Sequence, residues 1–293
     1  SDTLRAMTRS DPSTEKGIQV LGLCRFSVPS AGAFQVEHDS LEERRAYLYD
    51  PARLALRFAW FEQVTLPGIA AQKDPAFKLV VLMGEDLPEP WRGRMLAHVD
   101  RLPQLVAHFA PPEHHRKICA DAMRAHVDRQ AEVVLQFRLD DDDAVAVDFT
   151  RRLRRDWRKL KAFHGEQGGP IAIDYARGLN LVARPNGNIR IVPRLEPFLG
   201  VGFAIATRPG DGQFILGYMH HVIWQSMPAV TNPGEIMWVR GGHGGNDSGP
   251  PALKPMFEAD PAELRQTLRK RFRIDLAQLK PALGALAGGE GAG

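Results

Sequence analysis

Residues 133–143 read Val-Val-Leu-Gln-Phe-Arg-Leu-Asp-Asp-Asp-Asp, an apolar, β-branched run that drives into four adjacent carboxylates. Burying an unpaired carboxylate is prohibitive, so the four need water, cations or a metal. A solvated acidic turn accounts for the charges but gives a buried strand no reason to point at them. A strand whose carboxyl end delivers Asp140 and Asp142 to a divalent ion accounts for both, because open α/β sheets bind ligands just beyond strand carboxyl ends. Hard oxygen donors of this kind suit Mg2+ or Mn2+. Side chains alternate along extended chain, so Asp140 and Asp142 share one side while Asp141 or Asp143 turns elsewhere. Arg138 lies on the side of Asp140, able to steady a carboxylate or to meet a phosphate with two donors at once.

His243 sits between glycine pairs in Gly241-Gly242-His243-Gly244-Gly245. Such a backbone offers no helix or sheet to hold a packed core residue. It lets the chain approach a ligand closely, and a neutral imidazole can complete a metal's coordination. The plainer alternative is an exposed loop histidine. Asn246 and Ser248 add donors and acceptors beside it. Arg25 and Ser27 close the first apolar run, where open sheets receive a nucleotide or substrate; the alternative is a surface loop. In Arg208-Pro209-Gly210-Asp211-Gly212, Asp211 precedes an apolar helix expected over 214–226, as an N-cap or as a catalytic base. His220 and His221 fall within that helix. One of the pair must face inward or along the site, and a hydrogen-bonded core or surface histidine is the plainer account of either.

The elements that must position these groups are legible in outline. Apolar runs at 18–23, 77–83 and 133–139 are buried strands. Helical patterns lie between them, at 41–49 after the Ser40/Glu43 capping box, from Asp50-Pro51 through Phe61, over 90–98, and from Pro111-Pro112 through Val127. The order β-α-β-α-β predicts a mostly parallel sheet with right-handed crossovers. Runs at 171–174, 180–183 and 189–192, with Asn186-Gly187 as a hairpin signal, predict an antiparallel insertion. The segment 144–161 reads as a helix whose outer face carries Arg151, Arg152, Arg154, Arg155, Arg158, Lys159 and Lys161. A basic terminal helix starts at Asp260-Pro261. Residues 1–16 and 281–293 read as a disordered leader and tail around a single domain, 17–280, with halves at 17–165 and 166–280.

Composition narrows the classes. Hydrophobic residues make up 44% and charged residues 25%, as in a soluble globular chain, and the net charge of +3 implies no polyelectrolyte partner. Two cysteines argue against a disulfide framework. No apolar run approaches the ~18 residues of a membrane span. The basic helices could touch anionic lipid, but nothing accompanies them that marks nucleic-acid binding. A cytoplasmic protein is expected.

Arg138-Leu139-Asp140-Asp141-Asp142-Asp143-Ala144 resembles the Arg-Leu-Asp-x-Asp-Asp-Ala signature of a bacterial rhamnosyl transferase family, of the GT-A type of glycosyltransferase. Arg25-Phe26-Ser27-Val28 and His243-Gly244-Gly245-Asn246-Asp247-Ser248 are also similar to segments of it, and the resemblance covers most of residues 18–250. It implies an α/β, GT-A-like nucleotide-binding fold with a mostly parallel central sheet, helices on both faces and an antiparallel insertion. It also implies transfer of a sugar, rhamnose by the family's name, from a nucleoside-diphosphate sugar to a hydroxyl of a saccharide or glycoconjugate in surface polysaccharide synthesis. Mn2+ or Mg2+ would be held by Asp140, Asp142 and His243. The donor would be met by Arg25, Ser27, Arg138, Asp140, Asn246 and Ser248. By chain order Asp211 stands where related enzymes place the base, with Asp174 its competitor. A different Mg2+ enzyme, such as a sugar nucleotidyltransferase, and an inactive binding protein attached to an assembly or the inner membrane face are the alternatives.

Overall fold

A computed structural model of the chain describes residues 11–31, 40–164, 169–184, 187–243 and 251–287. The apolar runs become the middle of a twisted sheet. Strands β1 (Ile18–Arg25), β2 (Lys78–Gly84), β3 (Leu105–Ala110) and β4 (Val133–Asp140) are mutually parallel, with β1 between β4 and β2. β1 and β4 are buried along nearly their whole length, as strands covered on both faces must be. A short antiparallel strand, β5 (Ala144–Val145), follows the carboxylates.

The second half of the chain supplies β6 (Ile171–Tyr175), β7 (Arg177–Ala183), β8 (Ile189–Leu195), β9 (Phe203–Thr207), β10 (Ala229–Asn232) and β11 (Trp238–Gly242). The main sheet runs β10-β6-β9-β4-β1-β2-β3, and in this path only β9 is antiparallel to its neighbours. Both expected halves therefore share one sheet. A smaller sheet, β8-β7-β11-β5, stands beside it.

Helices cover both faces. α1 (Leu41–Leu48) is capped by Ser40, whose Oγ accepts from the Glu43 backbone N–H at 3.1 Å. α2 (Pro51–Trp60) is capped by Asp50 and continues through a π-helical turn, Phe61–Thr65, into Leu66–Ala70. α3 (Trp91–Arg101) follows β2. α4 (His115–Ala125) packs Ile118, Cys119, Ala122 and Met123 against Leu21, Leu23, Val80 and Leu82 on one face. On the other face Leu54, Phe58 and Phe61 join Leu135, Phe137, Phe149 and Trp157 in the main core, the last two from α5 (Phe149–Leu160). α6 (Pro261–Thr267) and α7 (Leu276–Ala287) close the chain.

Five expectations need correction. The run 171–174 enters the main sheet between β9 and β10, and only β7 and β8 form the expected hairpin, because the buried β6 needs partners on both edges. Helix starts at Phe149 and not at Ala144, since Ala144 and Val145 pair with β11. Residues 214–226 form two 3-10 turns, Ile215–Gly217 and His220–Gln225, in place of one helix. Residues 11–16 belong to the fold: Thr14 and Glu15 pair with β1, and Asp11 bonds Lys78. Residues 281–287 complete α7.

A sixth correction is Arg154, read as part of a basic outer face. Its side chain is 1% exposed and bonds Asp74, the Ser13 carbonyl at 2.9 Å and the Ala76 carbonyl, so it laces the first hairpin to the loop before β2. Removing one partner of a buried ion pair leaves the other uncompensated, at a cost of about 3–5 kcal/mol. Arg154→Ala should lose that much in urea denaturation. Arg158→Ala, on the exposed side of α5, should change stability by no more than about 0.5 kcal/mol.

Candidate active site

The four carboxylates are gathered at the carboxyl end of β4 and each meets a different element. The parallel register sets Arg25 beside Asp140. Arg25 Nη2 donates to Asp140 Oδ1 at 2.5 Å, and Arg138 Nη2 to Asp140 Oδ2 at 3.2 Å. Burial opposes ionisation of Asp140, but the two arginines outweigh it and hold the carboxyl well below the usual range. Asp141 is fully buried and grips Arg57 of α2 through two bonds, one of them 2.8 Å from Nε to Oδ2. Burial drives the Asp141 pKa up to about 7; Arg57 pulls it back, and Asp142 and Asp140 push it further.

Asp142 Oδ2 lies 3.1 Å from His243 Nε2 and 3.5 Å from Arg57 Nη1. Asp143 Oδ1 accepts the Gly241 backbone N–H at 3.0 Å. Burial and the neighbouring Asp142 and Asp140 raise the Asp143 pKa well above the ordinary value, against the pull of Arg240. Gly241 cannot carry a side chain here, because a Cβ would stand 2.2 Å from the Asp142 carbonyl oxygen. The pairing of β5 with β11 makes this contact, setting Val239 opposite Ala144 and Trp238 opposite Val145.

These groups border a cavity of about 140 Å³ lined by Arg138, Asp140, Asp142, Asp143, His220 and Arg240, with Leu199 and Val201. Behind Arg25 stands His115, the first residue of α4, whose Nε2 is 3.1 Å from Arg25 Nη1. Burial, with Arg25 and Arg138, lowers the His115 pKa to about 4, so the neutral ring accepts from Arg25.

The expected residues divide. Arg25, Arg138, Asp140, Asp142 and His243 converge, with Asp143 beside them. His243 is not the loose loop histidine that its glycines suggested. Gly241 and Gly242 belong to β11, the His243 side chain is 3% exposed, and its ring stands 5.2 Å from that of Trp60. Ser27 is buried at a backbone φ of 46°, with its Oγ accepting from Arg53 at 3.3 Å. Asn246 and Ser248 lie outside the described residues. Asp211 does not join the site. Thr207 pairs with Val134, so the chain leaves β9 at the opposite end of β4 from Asp140, roughly 20 Å away at the rise of an extended strand. Asp211 is exposed there and accepts from the backbone of Arg208 and Gln213 in its own turn.

Asp174 is buried in β6 and accepts from Thr231 Oγ1 at 2.6 Å. It does not line the cavity and holds the chain behind it. Burial raises its pKa to about 6, while Thr231 and the backbone N–H groups of Phe198 and Tyr175 pull the other way.

Sequence reasoning passed over Arg57, Trp60 and Arg240. Arg53, Arg57 and Trp60 are spaced i, i+4, i+7 on α2, one stripe of a helix otherwise read only for its apolar face. That stripe was the available signal. Arg240 carried none beyond its place before the glycines.

A metal has donors here of the right kind. Among the described residues no three His, Cys, Asp or Glu side chains already form a cage. Yet carboxylates of Asp140, Asp142 and Asp143 border one cavity, and a cation between them would relieve the repulsion that raises Asp143. Neighbouring donors at about 2.1 Å from an octahedral ion stand about 3 Å apart. The 3.1 Å between His243 Nε2 and Asp142 Oδ2 matches that spacing as well as a hydrogen bond.

A mostly parallel, helix-covered sheet that collects acids, arginines and histidines beyond its strand ends is the plan of α/β ligand-binding enzymes. Residues 19–255 match the family described as "Putative rhamnosyl transferase", and the chain belongs to it. No curated protein matches the chain. Among solved structures, S. aureus TarS 1-349 in complex with UDP-GlcNAc is 8% identical at a TM-score of 0.45, covering 91% of this chain and 70% of that one. The same protein in complex with UDP is 7% identical at 0.40, covering 76% and 60%. The chain thus spans 60% of the length of TarS 1-349 in that alignment.

The structural reading of Asp174 is open to a pH test. A carboxyl whose folded pKa is about 6 binds its proton more tightly than in the unfolded chain, near 3.9. Its contribution therefore falls as pH rises from about 4 to about 6, by at most about 1.4 kcal/mol per pH unit. Urea denaturation across this window should show that loss in the wild type and a flatter curve in Asp174→Asn.

Proposed function

We propose that this chain is a glycosyltransferase that moves a hexose, rhamnose by its family's name, from a nucleoside-diphosphate sugar to a hydroxyl of a saccharide or glycoconjugate acceptor, with Mn2+ or Mg2+ as cofactor. One observation carries the reading. Carboxylates for a cation and arginines for an anion border the same cavity at the carboxyl end of β4.

The chemical task is to stabilise the charge that grows on the diphosphate as the sugar departs. Asp140, Asp142 and Asp143, with His243, would hold the ion, which when bound supplies Lewis-acid neutralisation of the leaving group. Arg138 and Arg240 would meet phosphate oxygens with charge-assisted hydrogen bonds. Arg25 holds Asp140 ionised, and Arg57 holds the Asp141 side chain in place, so the acidic turn is organised before ligand arrives. Arg25, Ser27, Asn246 and Ser248 remain our candidates for other donor contacts.

No helix among the described residues is long and apolar enough to cross a membrane. Arg151, Arg155, Arg158 and Lys159 stay exposed on α5, near a Phe163 that is 72% exposed. This face would let a cytoplasmic enzyme of surface polysaccharide synthesis rest on anionic lipid.

The test pairs binding with products. A ligand of the native state raises apparent stability, so a nucleoside-diphosphate sugar should raise Tm more with MnCl2 than without it. Asp142→Asn should abolish the metal-dependent part and lower turnover by about 100-fold or more. The product should be a nucleoside diphosphate. Release of pyrophosphate, or full turnover in Asp142→Asn, sinks the reading.

A further inference from the structure

His220 opens the 3-10 turn His220–Gln225, on the wall of the cavity that faces the acidic turn. Its Nδ1 stands 2.5 Å from the carbonyl oxygen of Phe198. A carbonyl offers only lone pairs, so Nδ1 carries the ring proton and Nε2 of the neutral ring is a bare acceptor. That acceptor faces the space in front of Arg138. A Cβ built on Gly200 would lie 3.5 Å from His220 Nε2 and 3.6 Å from Arg138 Cζ.

The carbonyl is itself fixed. Phe198 holds a backbone φ of 56°, and its ring stands 5.8 Å from Trp224. The charged and titratable groups around the ring are Arg138 and Asp140 of β4, Asp142 and Asp143 after it, Arg240 of β11 and the adjacent His221. Burial lowers the His220 pKa, Arg138, His221 and Arg240 lower it further, and the Phe198 carbonyl only partly offsets them. A neutral ring with its proton committed to Phe198 cannot donate to a phosphate. What it can take is an O–H.

We propose that His220 Nε2 is the general base that receives the proton of the attacking acceptor hydroxyl. The assignment rests on the glycosyl-transfer reading above. The hydroxyl oxygen forms its bond to the anomeric carbon while the bond from that carbon to the diphosphate oxygen breaks. That electron pair leaves with the diphosphate, the hydroxyl proton passes to Nε2, and the imidazolium returns it to water. Attack opposite the leaving group inverts the anomeric centre. Asp211 sits at the wrong end of β4 for this task, and Asp174 does not line the cavity.

The experiment uses the full chain, UDP-, GDP- and dTDP-sugars as donors and a panel of p-nitrophenyl glycosides as acceptors. Expected for His220→Gln is a donor-induced Tm shift like the wild type, with transfer slower by about 10²–10⁴-fold. The wild-type kcat should rise with pH through a midpoint below the ordinary imidazole value, and that limb should vanish in the variant. Added imidazole should restore part of the rate to His220→Ala. Near-normal kcat, or an unchanged acid limb, in His220→Gln would overturn the proposal, as would loss of donor binding, which assigns the ring to the donor. A retained anomeric configuration overturns it too. If neither variant folds, a wild-type kcat without an acid limb decides against it. A wild type that shifts with no donor and transfers no sugar refutes the glycosyl-transfer reading itself, and the base falls with it.

Discussion

Four adjacent carboxylates at the end of a buried strand are the constraint that the rest of this structure answers. Two like charges 4 Å apart repel by about 4 kcal/mol even at an effective dielectric of 20, so consecutive aspartates cannot share one turn unless separate partners reach each of them. They do. Asp140 is held by Arg25 and Arg138, Asp141 by Arg57, Asp142 by His243 and Arg57, and Asp143 by the Gly241 backbone. These partners come from β1, β4 itself, α2 and the end of β11. The register of β1, the placement of α2 and the pairing of β5 with β11 all serve the same electrostatic requirement.

The partners are not equivalent, and the differences sort the acids by task. Asp141 is fully buried with both oxygens committed to one guanidinium, so it joins α2 to the sheet. Asp140, Asp142 and Asp143 border the cavity, where their excess negative charge is available to a cation. Arg138 and Arg240 border the same space with the opposite sign. A site with both charges a few ångströms apart, and hydrophobic walls from Leu199 and Val201, suits a ligand that is itself a metal–anion pair carrying a less polar group.

The single reversed strand of the main sheet explains why the second half of the chain reaches this space. β9 runs antiparallel to β4, so its first residues lie near Arg138 and the loop before it, carrying Phe198 to Val201, borders the cavity. Its last residues lie at the other end, which is why Asp211 is carried away. Gln136 then draws the returning chain back along β4, bonding the Gln213 carbonyl at 3.0 Å and the Ile215 N–H at 3.1 Å, until His220 meets Phe198.

Local physics alone located β1, β2 and β4, the capped helices α1 and α2, and the acidic turn with Arg138 on its flank. Burial along a strand, capping and the alternation of side chains are properties of neighbouring residues, and they can be read without the fold. The glycine-flanked His243 was visible for the same reason, though its packing against Trp60 was not. Which groups meet is a different kind of fact. Arg25 finds Asp140 across 115 residues, Arg57 finds Asp141 across 84 and His243 finds Asp142 across 101. Those meetings depend on strand order and register, which no local window contains. The same holds for Arg154, basic by sequence yet buried, and for Asp211, which chain order placed at the site and a reversed strand removed. The sequence alone determined that a buried strand would end in a turn of acids; only the tertiary structure decided which arginines and histidines stand opposite them.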